Sequence, residues 1–367
     1  MQDLPTALPQ DGLGEAAAFA LFESAIRSRS ADLGARDAFA HMDPPTLPIA
    51  ARLVGLNAHF NQNMLHRELS PFATEVENRL IAWLAPAFGM TCGHLCAGST
   101  LANLTALWRA REAGARAVVA SADAHISVPK AAHILGVPYR SVPVDSRGRL
   151  DRTQMGDIAA AAVVLTAGST GRGVIDALDP LKCLWTHVDA AWAGPLRFTR
   201  FSARLDGIDH ADSVAISAHK WLYQPKDSAL VLFKSPDAQA AISFGGAYLA
   251  APNIGLQGSR SAAAIPLMAS LMALGRKGLA ALIEKNMADA EALAARLRAE
   301  PRTELKQEPE TAVVNWRPVA GQTDAVLAKL AGLASRTMID QTLWARQVAA
   351  NPHADIDSIW ARLEAAL

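Results

Sequence analysis

Cysteine is scarce in this chain, three residues among 367, and so odd and sparse a set does not make a disulfide framework. It fits a reducing compartment. An excess of charge of either sign is also missing: Lys+Arg and Asp+Glu both total 35, so no global field draws the chain toward nucleic acid or an anionic membrane surface. No apolar stretch has the uninterrupted length that spans a bilayer, and Met1-Gln2-Asp3-Leu4-Pro5-Thr6 has no basic region leading into an apolar core. The expectations are a cytoplasmic location, no membrane or nucleic-acid partner, and small molecules or a second copy of the chain as partners. Repeats of solenoid period and low-complexity linkers are absent as well.

What is present is a large apolar content, 51% of residues, enough to bury a sizeable core and to divide into one large and one smaller domain. Short continuous apolar runs at 117–120, 161–165, 184–188, 213–216 and 230–233 predict strands buried on both faces. Helical patterns at 101–113 and 127–135 lie between some of them, an alternation that favours an α/β sheet covered by helices. Val76, Leu80, Ile81 and Leu84 repeat at helical spacing before Pro86. Residues 261–298, rich in alanine and leucine, predict long helices leading out of the core, and 311–316 and 356–367 a strand and a final helix of a smaller domain.

Cys92-Gly93-His94-Leu95-Cys96 would place three metal-ligating side chains on one face of a strand. A fourth ligand is not evident, and buried thiols beside a satisfied histidine are the simpler reading, so no metal is expected.

The most informative segment is Ser217-Ala218-His219-Lys220-Trp221, preceded by His187-Val188-Asp189-Ala190-Ala191-Trp192. A lysine closing one strand, with a histidine beside it and an aspartate closing the strand before, suits an aldehyde cofactor: the amine bonds to the aldehyde and the carboxylate keeps a pyridine nitrogen protonated. That points to pyridoxal 5'-phosphate. Its phosphate needs backbone amides, and Ala97-Gly98-Ser99-Thr100 and Ala167-Gly168-Ser169-Thr170 compete for the part. The first runs directly into a predicted helix whose N-terminus adds its dipole, so Gly98, Ser99 and Thr100 are the candidates.

Taken in order, Gly98-Ser99-Thr100, Ala124-His125-Ile126-Ser127, Thr166 to Thr170, His187 to Gly194 and His219-Lys220 resemble the group II pyridoxal-phosphate-dependent amino-acid decarboxylases, which include the aromatic, glutamate, tyrosine and diaminobutyrate enzymes. The resemblance runs from His41-Met42-Asp43-Pro44-Pro45-Thr46 to Asn351-Pro352. It implies a fold-type-I, aspartate-aminotransferase-like α/β architecture, with a large domain built on a mostly parallel seven-stranded sheet and a small C-terminal α+β domain. It also implies decarboxylation of an L-amino acid to the amine and CO2. Other fold-type-I reactions (aldehyde synthesis, carbon-sulfur lysis, transamination) are the alternative, and a non-catalytic decarboxylase-like regulator is a more distant one.

By the same resemblance Lys220 carries the cofactor, Asp189 meets its ring nitrogen, and His125 and Ala191 cover the two ring faces. Thr166 lies toward the ring hydroxyl, while Ser217 and His219 neighbour the phosphate and the lysine. Tyr248, in Gly245-Gly246-Ala247-Tyr248-Leu249-Ala250, resembles the loop tyrosine that reaches the partner subunit's site and assists protonation. Arg346 resembles the small-domain arginine that grips the substrate carboxylate. Lys220, Tyr248, His219 and His125 are thus the catalytic candidates. The implied assembly is a homodimer with shared active sites, divided as 1–70 (N-terminal arm and helices at the dimer interface), 71–275 (cofactor-binding domain) and 276–367 (small domain). Arg67 and Glu68 depart from the diaminobutyrate-type pattern, which leaves the choice of amino acid open.

Overall fold

In the computed structural model, which describes residues 4–367, the chain divides into two compact units, Met1–Leu33 and Gly34–Leu367. The first contains one helix, α1 (Glu15–Arg29), with Glu15 in its first turn and Arg27 and Arg29 in its last, the charge order that suits the helix dipole. No residue of α1 is buried.

The second unit opens with α2 (Pro48–Phe60) and α3 (Pro71–Leu84), each with a proline in its first turn, where the missing N–H costs nothing. α3 buries Val76, Leu80, Ile81 and Leu84, the residues whose spacing announced it.

Seven strands follow: β1 (Cys92–Cys96), β2 (Ala117–Ser121), β3 (Tyr139–Val142), β4 (Ala161–Thr166), β5 (Trp185–Asp189), β6 (Ser213–Ser217) and β7 (Ala229–Phe233). Their spatial order is β1-β7-β6-β5-β4-β2-β3. β7 runs antiparallel to both neighbours and the other adjacent pairs are parallel. β4, β6 and β7 are buried along their whole length, which is why they read as unbroken apolar runs rather than alternating ones.

Helices α4 (Ser99–Glu112) and α5 (Ser127–Ile134) start just beyond the C-terminal ends of β1 and β2. They cover the sheet. β1 is an edge strand, and its outward Leu95 N–H donates to Glu77 Oε1 of α3 at 3.2 Å. Glu77 is in turn held by Arg260 through two contacts of 2.7 Å, so a buried ion pair closes this sheet edge.

After α6 (Pro236–Ala240), a two-stranded ribbon of β8 (Ser243–Phe244) and β9 (Asn253–Ile254) carries Tyr248 in its connection. The long apolar stretch forms α7 (Ala264–Ala299), interrupted at Gly275, whose φ of 60° and ψ of 179° are left-handed and costly for any residue with a Cβ. Length and composition would let α7 cross a membrane. It instead lines a protein core, burying Leu279, Ile283, Met287, Ala290, Leu293 and Leu297 along one face. That face belongs to the same apolar core as Trp316 and Val348 of a second, antiparallel sheet.

This second sheet has the order β10-β11-β13-β12, from β10 (Thr303–Leu305), β11 (Val313–Pro318), β12 (Ser335–Ile339) and β13 (Thr342–Val348). α8 (Thr323–Lys329) and α9 (Ile356–Ala366) complete it, with Asp355 capping α9 by accepting from the Asp357 and Ser358 N–H groups. The α/β class, the mostly parallel seven-stranded sheet and the small C-terminal sheet agree with the sequence reading. β3, β12 and β13 were not anticipated. β3 and β12 are half-exposed strands with polar residues, and β13 places Arg346 and Gln347 between apolar positions.

Candidate active site

Parallel pairing sets the position of the site. The β4–β5 register puts Thr166 opposite Asp189, and the β5–β6 register puts Asp189 opposite Ala215, two residues before Ser217. Thr166, Asp189 and Ser217 therefore end adjacent strands at one sheet edge, where an open α/β sheet binds ligands. Lys220 lies in the turn that follows β6, its N–H bonded to the Ser217 carbonyl at 3.4 Å. Trp221 stacks on Trp192 with ring centroids 4.0 Å apart, a floor under this turn. Gly98, with φ of 91°, precedes α4 at the same edge, and a Cβ built on it would stand 3.7 Å from His219 Cε1. His125 comes from the connection between β2 and α5.

Lys220 is half-buried. Burial drives its pKa down, Asp189 and Asp43 oppose the shift, and Lys226 and Arg346 add to it. The amine is moved toward the neutral, nucleophilic form. Asp189 Oδ1 accepts from the Ala191 N–H at 3.1 Å and Oδ2 from Asn103 Nδ2 at 2.9 Å, so both oxygens are oriented. His125 is lowered chiefly by burial, opposed by Asp189 and reinforced by Lys220. Its Nδ1 accepts the Ser127 N–H at 3.2 Å, which leaves the proton of the neutral ring on Nε2. His219 is pushed down to about 4 by burial and by the positive charges of Lys226 and Lys220, against Asp43 and Asp227.

Arg346 on β13 reaches across to this edge. Its Nη1 donates to the Thr170 carbonyl at 2.8 Å and its Nε to Ser335 Oγ at 3.1 Å, both neutral partners. Among the described residues it has no carboxylate in salt-bridge contact, although it is half-buried and burial works against its charge, with Asp43 opposing. Tyr248 is not brought into this group: it is 73% exposed and sits beside His66 with ring centroids 6.2 Å apart.

A family model described as the pyridoxal-dependent decarboxylase conserved domain matches residues 39–319. The chain belongs to this decarboxylase family. It is 31% identical to an L-2,4-diaminobutyrate decarboxylase of Rhizobium meliloti, over 98% of this chain and 82% of that one. It is also 34% identical to a probable L-aspartate decarboxylase of Halobacterium salinarum, over 69% of this chain and 76% of the other. Among solved structures, Oryza sativa TDC with PLP and tryptamine superposes with a TM-score of 0.88 at 19% identity, over 98% of this chain and 89% of that chain. The protein is a pyridoxal-phosphate-dependent amino-acid decarboxylase.

The residues at the sheet edge fit that cofactor. Thr166 Oγ1, Ser217 Oγ and His219 Nδ1 are buried polar atoms with no hydrogen-bond partner among the described residues. Leaving such an atom unpaired costs about 1–3 kcal/mol, so their grouping around Lys220 marks a place built for a polar ligand. Pyridoxal phosphate supplies there an aldehyde that captures an amine and a protonated ring that takes up the electron pair released with CO2.

Several site residues were given no part by sequence reasoning. Asn103 and Ser127 hydrogen-bond to Asp189 and His125 respectively, and Asp43 acts electrostatically on Lys220, His219 and Arg346. A signal for Asn103 existed: it is a polar residue within the otherwise small and apolar Leu101-Ala102-Asn103-Leu104 that opens a buried helix. At the Cys-His-Cys strand, burial drives Cys96 up to about 12 and, with Arg260, His94 down to about 3. No metal-binding group of three or more ligating residues occurs among the described residues.

Proposed function

We propose that the decarboxylation is carried by Lys220 as the covalent anchor of the cofactor, with Asp189 at the ring nitrogen, His125 and Ala191 on the ring faces and Gly98 to Thr100 at the phosphate. Thr166, Ser217 and His219 supply the remaining polar contacts. The observation that carries this reading is the half-buried Lys220, its pKa lowered by burial, near Asp189 at the end of β5, together with buried polar atoms of Thr166 and Ser217, which end β4 and β6, and of His219 beyond β6 that have no hydrogen-bond partner among the described residues.

Each residue then has a physical task. Burial keeps the Lys220 amine reactive. Asp189, held at both oxygens, keeps a positive charge on the ring nitrogen. Arg346 takes the substrate carboxylate in a planar two-point contact and fixes the orientation of the bond to be broken. His125, neutral with its proton on Nε2, covers a ring without adding a second cation beside Lys220.

Tyr248 donates the proton that replaces CO2, from a loop that closes over the site of a second copy. Exposed apolar side chains support the homodimer: Phe19, Phe22 and Ile26 on α1, and Phe60, Phe72 and Trp83 on α2 and α3. The division at residue 275 is supported by the break in α7 at Gly275. The division at residue 70 and a cytoplasmic location complete the reading.

Product analysis over a panel of L-amino acids tests it. Stoichiometric CO2 and amine are expected, and Tyr248→Phe lowers turnover while leaving cofactor content unchanged. A keto acid, or an aldehyde with peroxide, as the main product would overturn the reading.

A further inference from the structure

Behind Asp189 lies a chain of buried polar groups that the reaction has not used. Asn103 Nδ2 lies 2.9 Å from Asp189 Oδ2 and 2.8 Å from Ser127 Oγ, and its Oδ1 lies 3.0 Å from His187 Nε2. On the far side, His187 Nδ1 is 2.9 Å from Ser213 Oγ, which accepts the Trp185 Nε1–H at 2.9 Å. Asn103, His187 and Ser213 are buried.

The proton order in this chain follows from Asp189. A flipped amide would aim the Asn103 oxygen at a carboxylate, so the amide nitrogen must face Asp189 and the oxygen must face His187. His187 then carries its proton on Nε2 to donate to Asn103, and its Nδ1, which also lies 3.2 Å from the Ser213 carbonyl, accepts from the closer Ser213 hydroxyl. The second amide hydrogen goes to Ser127 Oγ, whose own proton goes to His125 Nδ1 at 2.8 Å. Burial, which drives His187 down to about 4, acts in the same sense.

We propose that Asn103 is a positioning residue for the cofactor's ring: it holds Asp189 oriented as a hydrogen-bond acceptor and, through His187 and Ser127, fixes the tautomers of the two histidines. The inference rests on Asp189 being the partner of the ring nitrogen. Asn103 does not touch the reacting atoms. It acts through Asp189.

Replacing Asn103 by aspartate is the informative change, because it keeps the acceptor toward His187 and replaces the amide donor shared by Asp189 and Ser127 with a second carboxyl oxygen. Two carboxyl groups then face each other at 2.9 Å, and they coexist only by sharing a proton. That proton weakens the hold of Asp189 on the ring.

The test measures the equilibrium affinity of apoenzyme for pyridoxal phosphate from pH 6 to 8.5, and the 15N NMR shift of the ring nitrogen in holoenzyme carrying 15N-labelled cofactor. Wild type, Asn103→Asp, Asn103→Ala and Asp189→Asn are compared, with unfolding midpoints of the apo forms. The titratable groups acting on or beside Asp189 are His187, His125 and Lys220, and wild type and N103D share them. A difference in pH profile therefore isolates position 103.

N103D should bind the cofactor roughly ten- to a hundred-fold more weakly, the loss of one hydrogen bond to an ionised group. Its affinity should be weakest at pH 6 and recover as pH rises and the shared proton leaves, and its ring-nitrogen shift should lie toward the unprotonated value where that proton is held. N103A should show the weaker binding without the added pH slope. If D189N alone changes affinity and shift while both Asn103 variants stay within twofold of wild type, the inference fails and the reading of Asp189 stands. If D189N leaves both unchanged, the reading of Asp189 fails.

Discussion

Substitution of Arg346 by glutamine should separate recognition of the substrate from recognition of its product. In the folded chain the guanidinium is half-buried and makes hydrogen bonds to the Thr170 carbonyl and Ser335 Oγ, both neutral oxygens, and among the described residues no carboxylate is in salt-bridge contact with it. The substrate carboxylate would supply that contact. Truncating one member of a desolvated charge pair costs about 2–5 kcal/mol, which corresponds to a loss of roughly thirty- to several-thousand-fold in kcat/KM. The amine product lacks the α-carboxylate assigned to Arg346, so its inhibition constant should be the same for wild type and R346Q. Arg346→Lys keeps the charge but not the fork and should fall between them. Loss of the two neutral hydrogen bonds should lower apoenzyme stability by only about 1–3 kcal/mol. The assay is steady-state amine release, with product inhibition and urea unfolding alongside. A kcat/KM within threefold of wild type, or parallel losses for substrate and product amine, would refute the role given to Arg346.

Two further predictions concern the fold. Glu77→Gln leaves the Arg260 charge unpaired and mostly buried beside the edge strand, and should destabilise the protein by about 3–5 kcal/mol; the double variant Glu77→Met with Arg260→Met should lose less in urea melts, and an equal or greater loss would contradict the ion-pair argument. Apoenzyme stability should also fall on acidification. His94 and His187 are buried and held down to about 3 and about 4, whereas in the unfolded chain each titrates near 6.5. Their folded pKa values are depressed, so the unfolded state binds more protons below about pH 6.5; the contribution is complete above that pH and declines toward pH 4. The loss amounts to about 3 kcal/mol for each histidine by pH 4. His94→Leu should make the stability–pH slope between pH 6.5 and 4.5 measurably shallower, and an unchanged slope would count against a buried neutral His94.

Much of this architecture was legible in the chain because its strands are buried on both faces. A run such as Ala161-Ala162-Val163-Val164-Leu165 needs no tertiary information to be placed, and Lys220, Asp189 and Thr166 sit at the ends of such runs. β13 was harder: Arg346 and Gln347 interrupt its apolar pattern, Arg346 hydrogen-bonding to the Thr170 carbonyl and Gln347 to the Trp316 indole. Asn103 and His187 were visible as residues but not as partners, since they lie 84 positions apart and meet only when α4 packs over β5. Tyr248 marks the opposite case. Its motif suggests a role in protonation, yet within one chain it remains at the surface.

The anchoring of the cofactor by Lys220 can be tested by borohydride reduction of the holoenzyme, followed by proteolysis and mass mapping of the pyridoxyl label. The account predicts one label per chain, on Lys220, and no label in Lys220→Ala. A label on Lys226 or any other lysine, or wild-type labelling of the Lys220→Ala protein, would contradict it.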